Sequence, residues 1–448
     1  MTDSSAKKTI FFQSLGCPKN LVDTEVMLGV AQKSGMTLVT EPAEASVIVI
    51  NTCSFIEDSK KESIEAILEL AEHKQTGKCE RLIVCGCLPQ RYKEELKKSL
   101  PEVDAFVGTG QYAQIQDFIQ GKKEEAAQFY PPTYIHMEDT PRINSQPPYR
   151  AYLKISEGCM KHCSFCIIPK IRGPLRSRSV SSLVEESRRL GSLGAIELNL
   201  IGQDLTDYGK DRNDGKLLED LLEALVQIDE LKWIRLLYVY PDELSDKLIE
   251  LILKEKKICK YIDVPIQHIS DRILASMKRN VSGLQITERI NRMRERIPEI
   301  SLRSTVMVGY PGETENEFQE LKDFVSAMCF EHLGVFAYSH EEGTASFFLP
   351  DQIEDSVKQT RKDEIMKIQQ KLSGQSLKEK VGRVLPVLVE GQSDESEYLL
   401  RGRHQGQAPD IDGHVLIRNS ALPMGALANI LIERAMEYDL IGRPAGTT

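Results

Sequence analysis

Apolar residues along this chain recur in two alternating rhythms. TIFFQS at 9–14, VIVIN at 47–51 and RLIVCG at 81–86 are short runs rich in aliphatic and aromatic side chains, each closed by polar or glycine positions. Runs of that length and composition predict strands. Residues 20–34, about 57–74 and about 89–99 instead place apolar side chains at helical spacing. A strand followed by a helix, three times over, predicts an open parallel sheet with crossover helices. The pattern stops at a charged stretch near 121–125 and a proline-bearing segment from Tyr130 to Pro148, which reads as a linker.

The alternation resumes at Ala151, with candidate strands at 151–156, 196–201, 233–239, 261–266, 302–308 and 333–338 and helical patterns between them. Six such units predict a partial (βα)6 barrel. A long charged amphipathic helix is expected over about 354–380. From Gly382 to about Arg443 the character changes to short β-rich runs (VLPVLVEG, HVLIR, ALANILIERA) between Gly and Asp turns. Those predict a small β-barrel. The fold class is therefore α/β with a β-barrel appended. Its expected divisions are 1–125, a linker over 126–149, 150–378 and 379–448, which suits a length of 448 residues.

Composition narrows the setting. A 41% hydrophobic and 28% charged chain is ordinary for a folded soluble protein. No run of 18 apolar residues predicts a membrane span. The opening MTDSSAKKTIFFQSLGC lacks the apolar stretch and cleavage site of a signal peptide, so a cytoplasmic location is expected. With 57 basic against 67 acidic residues, the net charge of −10 tilts against a partner held mainly through phosphates. Ten cysteines in a reducing compartment point to metal binding or catalysis rather than disulfides.

Three of those cysteines form Cys159-Met-Lys-His-Cys163-Ser-Phe-Cys166, a CxxxCxxC just past a predicted strand. Thiolates are the soft ligands iron–sulfur clusters prefer, and one loop can wrap one cluster. Three thiolates leave one iron of a cubane open to a small chelating molecule. A zinc site with His162 as fourth ligand is the alternative, although His162 adjoins Cys163 and would share one tetrahedral ion awkwardly.

Cys17, Cys53 and Cys87 each fall one to three residues after a predicted strand. Loops after the carboxyl ends of parallel strands gather along one edge, so these three can converge on a second cluster; incidental placement is the alternative. Cys85 sits inside its strand and reads as a buried small hydrophobe, and Cys79 lies at the opposite edge.

These motifs carry a resemblance. The CxxxCxxC with an aromatic before its last cysteine resembles the signature of the radical S-adenosylmethionine superfamily. QSLGCPKN, INTCSFI and VCGCLPQR closely resemble the amino-terminal domain of methylthiotransferases. The likeness continues through YLKISEGC, IIPKIRGPLRSR, LIGQDLTDYG, YIDVPIQH, VGYPGET and FAYSHEEGT, nearly the whole chain. It implies two 4Fe-4S clusters and S-adenosylmethionine as cofactors. Cys159, Cys163 and Cys166 would hold the cluster that chelates the cofactor, and Cys17, Cys53 and Cys87 an auxiliary cluster that carries the sulfur.

Other site residues are less settled. Phe165 would sit near the adenine, or else pack in the core. Gln203 points at the carboxyl rim of the second barrel strand, where barrel sites form. Arg303 could reach the cofactor carboxylate, but SLRST alternates like a strand, so a structural ion pair fits equally. Gln267 and His268 are rim candidates, with a satisfied structural histidine as the alternative for His268.

The tail resembles a TRAM domain. Between Gly382 and Arg443 it carries nine acidic residues against six basic ones, which suits a basic polypeptide better than RNA. GQAPDIDG at 406–413 and the closing ERAMEYDLIGR resemble the RimO-type branch of methylthiotransferases rather than the tRNA-directed MiaB type. The resemblance implies methylthiolation of an aspartate β-carbon in small-subunit ribosomal protein twelve, free or in the assembling subunit. It also implies an external electron donor and a sulfur source, with no direct tRNA substrate. No side chain is assigned as a general base, and Asp410 and Asp412 are expected to face the basic partner, with a turn whose carboxylates cap backbone amides as the alternative.

Overall fold

The computed structural model describes residues 8–122, 132–241, 244–393, 396–418 and 421–446. The acidic residues Asp394 and Glu395, and the linker's start at 126–131, lie outside them. Strands β1 (Thr9–Ser14), β2 (Thr37–Leu38), β3 (Val47–Thr52), β4 (Arg81–Gly86) and β5 (Ala105–Gly108) form one parallel sheet in the order β2-β1-β3-β4-β5. Every residue of β3 is buried, as expected of a central strand covered on both faces. β2 and β5 escape the sequence pattern because two and four residues are too short to show a period. The segment read as one helix over 89–99 is two, Cys87–Tyr92 and Glu94–Ser99, parted at Lys93 with φ of 45°.

The central sheet holds β6 (Arg150–Lys154), β9 (Glu197–Ile201), β10 (Trp233–Leu236), β11 (Ile258–Gln267), β12 (Ser301–Val308) and β13 (His332–Ala337), all parallel, in the order β13-β12-β11-β10-β9-β6. A separate two-stranded ribbon, β7 (Ser156–Glu157) with β8 (Arg176–Ser177), flanks the cysteine loop. Leu153, Leu198, Leu200, Ile234, Ile262 and Val306 turn to the helical layer and form the largest core. The concave face packs Tyr152, Trp233, Leu237 and Tyr261 against Val22 of helix Pro18–Lys33 and against Leu388 and Ala408 of the tail. The tail meets the strands at their amino ends, at Glu197 and His332, and the first domain meets them at their carboxyl ends, at Lys154 and Tyr238.

The tail is a closed barrel, β14 (Val384–Ser393), β15 (Ser396–His404), β16 (Val415–Ile417), β18 (Leu440–Pro444) and β17 (Leu427–Ala435) in that order. Its core is Val387, Val389, Val415, Ile417, Ile430, Ile432 and Leu440. Helix Asp355–Lys378 leads into it and lends Leu377 to that core.

Candidate active site

Cys17 is the N-cap of helix Pro18–Lys33, Cys53 follows β3, and Cys87 opens the helix after β4. Neighbouring strands therefore deliver all three to one sheet edge. Two glycines make the approach possible. Gly16 has φ of 85°, and a Cβ there would stand 2.7 Å from Cys53 Cβ. Gly86 has φ of 100°, and a Cβ there would lie 2.3 Å from Asn51 Oδ1. Ser63 Oγ donates to the Cys53 carbonyl at 2.8 Å and accepts from its amide at 3.1 Å, which fixes that loop. Burial pushes the Cys87 thiol up to about 12, against the pull of Arg172, and raises the Cys53 thiol as well.

Cys85 and Cys79 stand apart. Cys85 Sγ donates to the Ile50 carbonyl at 3.3 Å inside the core beneath helix Pro18–Lys33. Cys79 is buried on the sheet's other side with Ile48 and Leu82.

The second triad lies on the loop after β7. The Cys159 amide donates to the Gly173 carbonyl at 3.1 Å, and the Cys166 amide donates to the Cys163 carbonyl at 3.1 Å. Ser164 is the loop's anchor: its hydroxyl bonds the Ser276 carbonyl at 2.9 Å and the Tyr310 hydroxyl at 2.8 Å. Its amide donates to the Met277 carbonyl at 3.0 Å. The three thiols stay half-buried. Burial raises Cys159 to about 11 and Cys166 to about 12, and neighbouring triad members add to both shifts.

Cys53, Cys87, Cys159 and Cys166 thus resist ionising alone, and bound iron would supply the compensating charge. The donor set fits iron–sulfur clusters. His162 is exposed, and among the described residues no three His, Cys, Asp or Glu side chains are spaced for a single metal ion. Thiolates on different irons of one cluster stand farther apart than ligands of a single ion.

One arginine links the edge that carries Cys87 to the root of the Cys159–Cys166 loop. Arg172 ends the short helix Ile168–Arg172 behind the cysteine loop and is fully buried. It donates to Asp23 Oδ2 and Glu157 Oε2, both at 2.9 Å, to Asn20 Oδ1, and reaches Cys87 Sγ at 3.7 Å. Lys154 pairs with the same two carboxylates. Farther out, Glu341 forms ion pairs with Arg91 at 2.9 Å and Lys60 at 3.1 Å, tying the first sheet to the loop after β13.

The expected cofactor residues divide between the carboxyl end of the central barrel and its joint with the tail. Phe165 packs against Ile273, Met277, Tyr310 and Tyr338. Gln203 is half-buried just beyond the carboxyl end of β9. Arg303 is bonded to Asp412 Oδ1 at 2.9 Å, the arrangement its strand alternation allowed. His268 is fully buried, accepts the Ser270 amide at 3.0 Å on Nδ1, and faces Glu313 at 3.4 Å, so it is a satisfied structural residue.

Asp412 overturns an expectation: it is not a docking carboxylate. It is buried, with Arg303, the Tyr261 hydroxyl at 2.9 Å and the Ala408 amide at 2.8 Å as donors, and His332 at 3.3 Å. Asp410 pairs with Arg150 at 2.9 Å and with the Tyr152 hydroxyl. These acids hold the tail barrel on the central one.

Sequence reading also missed a buried cluster in which Glu197 accepts Arg235 at 3.1 Å and Arg403 at 2.6 Å. Its signal was present, because Glu197, Asn199 and Arg235 are polar residues inside strands whose neighbours are apolar. Lys19 was missed too. It is buried, with Nζ 3.3 Å over the centre of the Tyr238 ring.

Comparisons with known proteins agree with this layout. Residues 9–108 match the uncharacterized protein family UPF0004, 153–325 the radical SAM superfamily, and 381–444 the TRAM domain. The protein called ribosomal protein uS12 methylthiotransferase RimO in Pelobacter propionicus is 49% identical over 443 residues, 98% of each chain. Its namesake in Syntrophotalea carbinolica is 50% identical over 444 residues, again 98% of each. That of Geobacter sulfurreducens is 49% identical, covering 98% of this chain and 99% of its own.

Among solved structures, the radical S-adenosylmethionine methyltransferase TsrM from Kitasatospora setae, with cobalamin and a 4Fe-4S cluster bound, superposes with a TM-score of 0.56. It shares 15% identity and covers 74% of this chain and 75% of its own, so it shares the fold. The cobalamin-dependent radical enzyme OxsB does likewise at a TM-score of 0.51 and 12% identity, covering 81% of this chain and 56% of its own. Half-identity along the full length, three family matches and two convergent cysteine triads place the chain: it belongs to the RimO family of methylthiotransferases within the radical S-adenosylmethionine superfamily.

Proposed function

We propose that this chain transfers a methylthio group to the β-carbon of an aspartate in small-subunit ribosomal protein uS12. Its cofactors are S-adenosylmethionine and two 4Fe-4S clusters, one held by Cys159, Cys163 and Cys166 and the other by Cys17, Cys53 and Cys87. The observation that carries this reading is Arg172, which reaches Cys87 of one triad and bonds Glu157, two residues before Cys159 of the other, and so supports a radical-generating site and a sulfur-bearing site across one seam. The clusters supply one-electron reduction of S-adenosylmethionine to a hydrogen-abstracting radical and the sulfur for insertion.

The chain's own residues bind, orient and exclude water. Arg172, Lys154, Asp23 and Glu157 lock the seam, and Ser164 pins the cofactor loop to Tyr310. Phe165 and Gln203 line the cofactor's side. Arg303 belongs to the joint with the tail barrel. The divisions 1–125, 150–378 and 379–448 then act as sulfur, radical and docking units. An external electron donor and a sulfur source complete the reaction, which runs in the cytoplasm; among the described residues no helix is long and apolar enough to cross a membrane. No observation favours a tRNA base as substrate.

The test is anaerobic incubation of the iron-reconstituted protein with S-adenosylmethionine, a reductant, sulfide, small ribosomal subunits and tRNA. The reading expects deoxyadenosine together with uS12 heavier by one methylthio group. Deoxyadenosine with uS12 unchanged and a methylthiolated tRNA base would refute it.

A further inference from the structure

The cations around the seam are almost all consumed. Arg172 and Lys154 share Asp23 and Glu157. Lys161 pairs with Asp207 at 3.1 Å and Asp204 at 3.7 Å. Arg303, toward the tail barrel, holds Asp412. Lys19 differs. It lies two residues after Cys17 in the first turn of helix Pro18–Lys33 and is only 6% exposed. Among the described residues its ammonium has neither a hydrogen bond nor an ion pair, and rests on the face of Tyr238 alone.

That seat is built rather than incidental. Tyr238 follows the carboxyl end of β10 with φ of 66°, a conformation costly for an aromatic residue. Its amide donates to Asp263 Oδ2 at 3.1 Å, which holds the turn. The ionisable groups that face Lys19 are Cys17, Arg172, Asp263 and Glu157, none of them in an ion pair with it. Asp263, whose other oxygen is unpartnered, faces Arg303 at 3.8 Å. Lys19 therefore stands between the sulfur-bearing thiols and the mouth of the central barrel.

We infer that Lys19 receives the side-chain carboxylate of the substrate aspartate and so selects aspartate as the modified residue. The inference rests on the proposed function. A buried cation without an anion is unfavourable, and so is a carboxylate drawn from water into the same chamber; each relieves the other. A ring face stabilises the waiting ammonium without occupying its hydrogen-bonding sites. In aspartate the carboxylate is bonded directly to the β-carbon that takes the sulfur. Fixing one therefore places the other one bond away, between the two triads. An asparagine would leave Lys19 uncompensated, which is how a polar site rejects an isostere.

The carboxylate of S-adenosylmethionine has the same chemistry, so the experiment separates the two sources. Iron-reconstituted wild type, Lys19→Met and Lys19→Arg are titrated with uS12 and with uS12 whose target aspartate is replaced by asparagine. S-adenosylmethionine affinity is measured without uS12, and the resonance of the reduced auxiliary cluster is recorded. Wild type is expected to prefer the aspartate form by about tenfold or more. Lys19→Met should bring that ratio to about one, and Lys19→Arg should keep part of it.

An unchanged ratio in Lys19→Met overturns the inference. Weaker cofactor binding beside that unchanged ratio would mean Lys19 serves the cofactor, and a shifted cluster resonance beside it would mean Lys19 only balances thiolate charge. Should Lys19→Met fail to fold or load iron, Lys19→Gln carries the same expectation. If wild type neither binds nor modifies uS12, the proposed function falls and this inference with it. If wild type modifies uS12 and only the ratio survives mutation, the inference alone falls.

Discussion

Arg172 Nη2 stands 3.7 Å from Cys87 Sγ while its Nη1 bonds Glu157, two residues before Cys159. One guanidinium thus spans from the cysteine edge of the first sheet to the root of the Cys159–Cys166 loop. Replacing it by Met leaves Asp23 and Glu157 buried with Lys154 as their only cation. Arg172→Met should cost about 3–5 kcal/mol, the usual result of stripping one partner from a buried charge network. Urea unfolding of the iron-free protein measures it. Arg172→Lys should recover only part, because a point charge cannot serve Asn20, Asp23 and Glu157 together.

The triads should separate chemically. Cys159→Ala, Cys163→Ala or Cys166→Ala is expected to abolish deoxyadenosine formation while roughly half the iron remains, if the sites load independently. A triple Ala variant at Cys17, Cys53 and Cys87 should still cleave S-adenosylmethionine and deliver no methylthio group. Cys85→Ala, inside the core, should lose about 1–2 kcal/mol of stability and keep both clusters. Iron analysis and product chromatography read all three. Loss of a cluster in Cys85→Ala would contradict the strand-edge placement.

What was legible in the sequence follows from distance along the chain. The Cys159–Cys166 loop is local, and Cys17, Cys53 and Cys87 follow from strand ends, which period and composition reveal. Short β2 and β5 carry too few residues to show a period. Arg172 meets Asn20 across 152 positions and Arg303 meets Asp412 across 109, so neither pairing leaves a local trace. Lys19 lies just before the helix expected over 20–34, and only the folded chamber shows it facing Tyr238. The acidic count of the tail was correct, but burial turned Asp412 from surface charge into mortar.

That reassignment makes a prediction of its own. Asp412→Asn should destabilise the protein by about 3 kcal/mol or more, since Arg303 would lose its closest carboxylate in a buried joint. Asp410→Asn keeps a residue that tolerates its φ of 67° and removes a half-exposed charge, so it should cost under about 1 kcal/mol. Thermal melting of the two variants side by side distinguishes a joint from a docking surface, which would show equal stabilities.

Acid should loosen the Glu197 cluster. Burial alone would raise this carboxyl, but Arg403 and Arg235 together hold it at about 2, below its ordinary 4.5. A depressed carboxyl contributes stability that is complete above pH 4.5 and is lost as pH falls toward 2. Stability measured by urea unfolding across that window should decline in wild type. Glu197→Gln should be less stable near neutrality and show a shallower decline, having no proton to take up there.

The central claim is that uS12 is the substrate, and mass spectrometry of small-subunit proteins and of tRNA from a strain lacking this gene tests it most directly. The account predicts uS12 lighter by one methylthio group than in the parent strain, restored by the wild-type gene and not by its Cys159→Ala form, with tRNA nucleosides unchanged. An unaltered uS12 beside the loss of a methylthiolated tRNA nucleoside would contradict it.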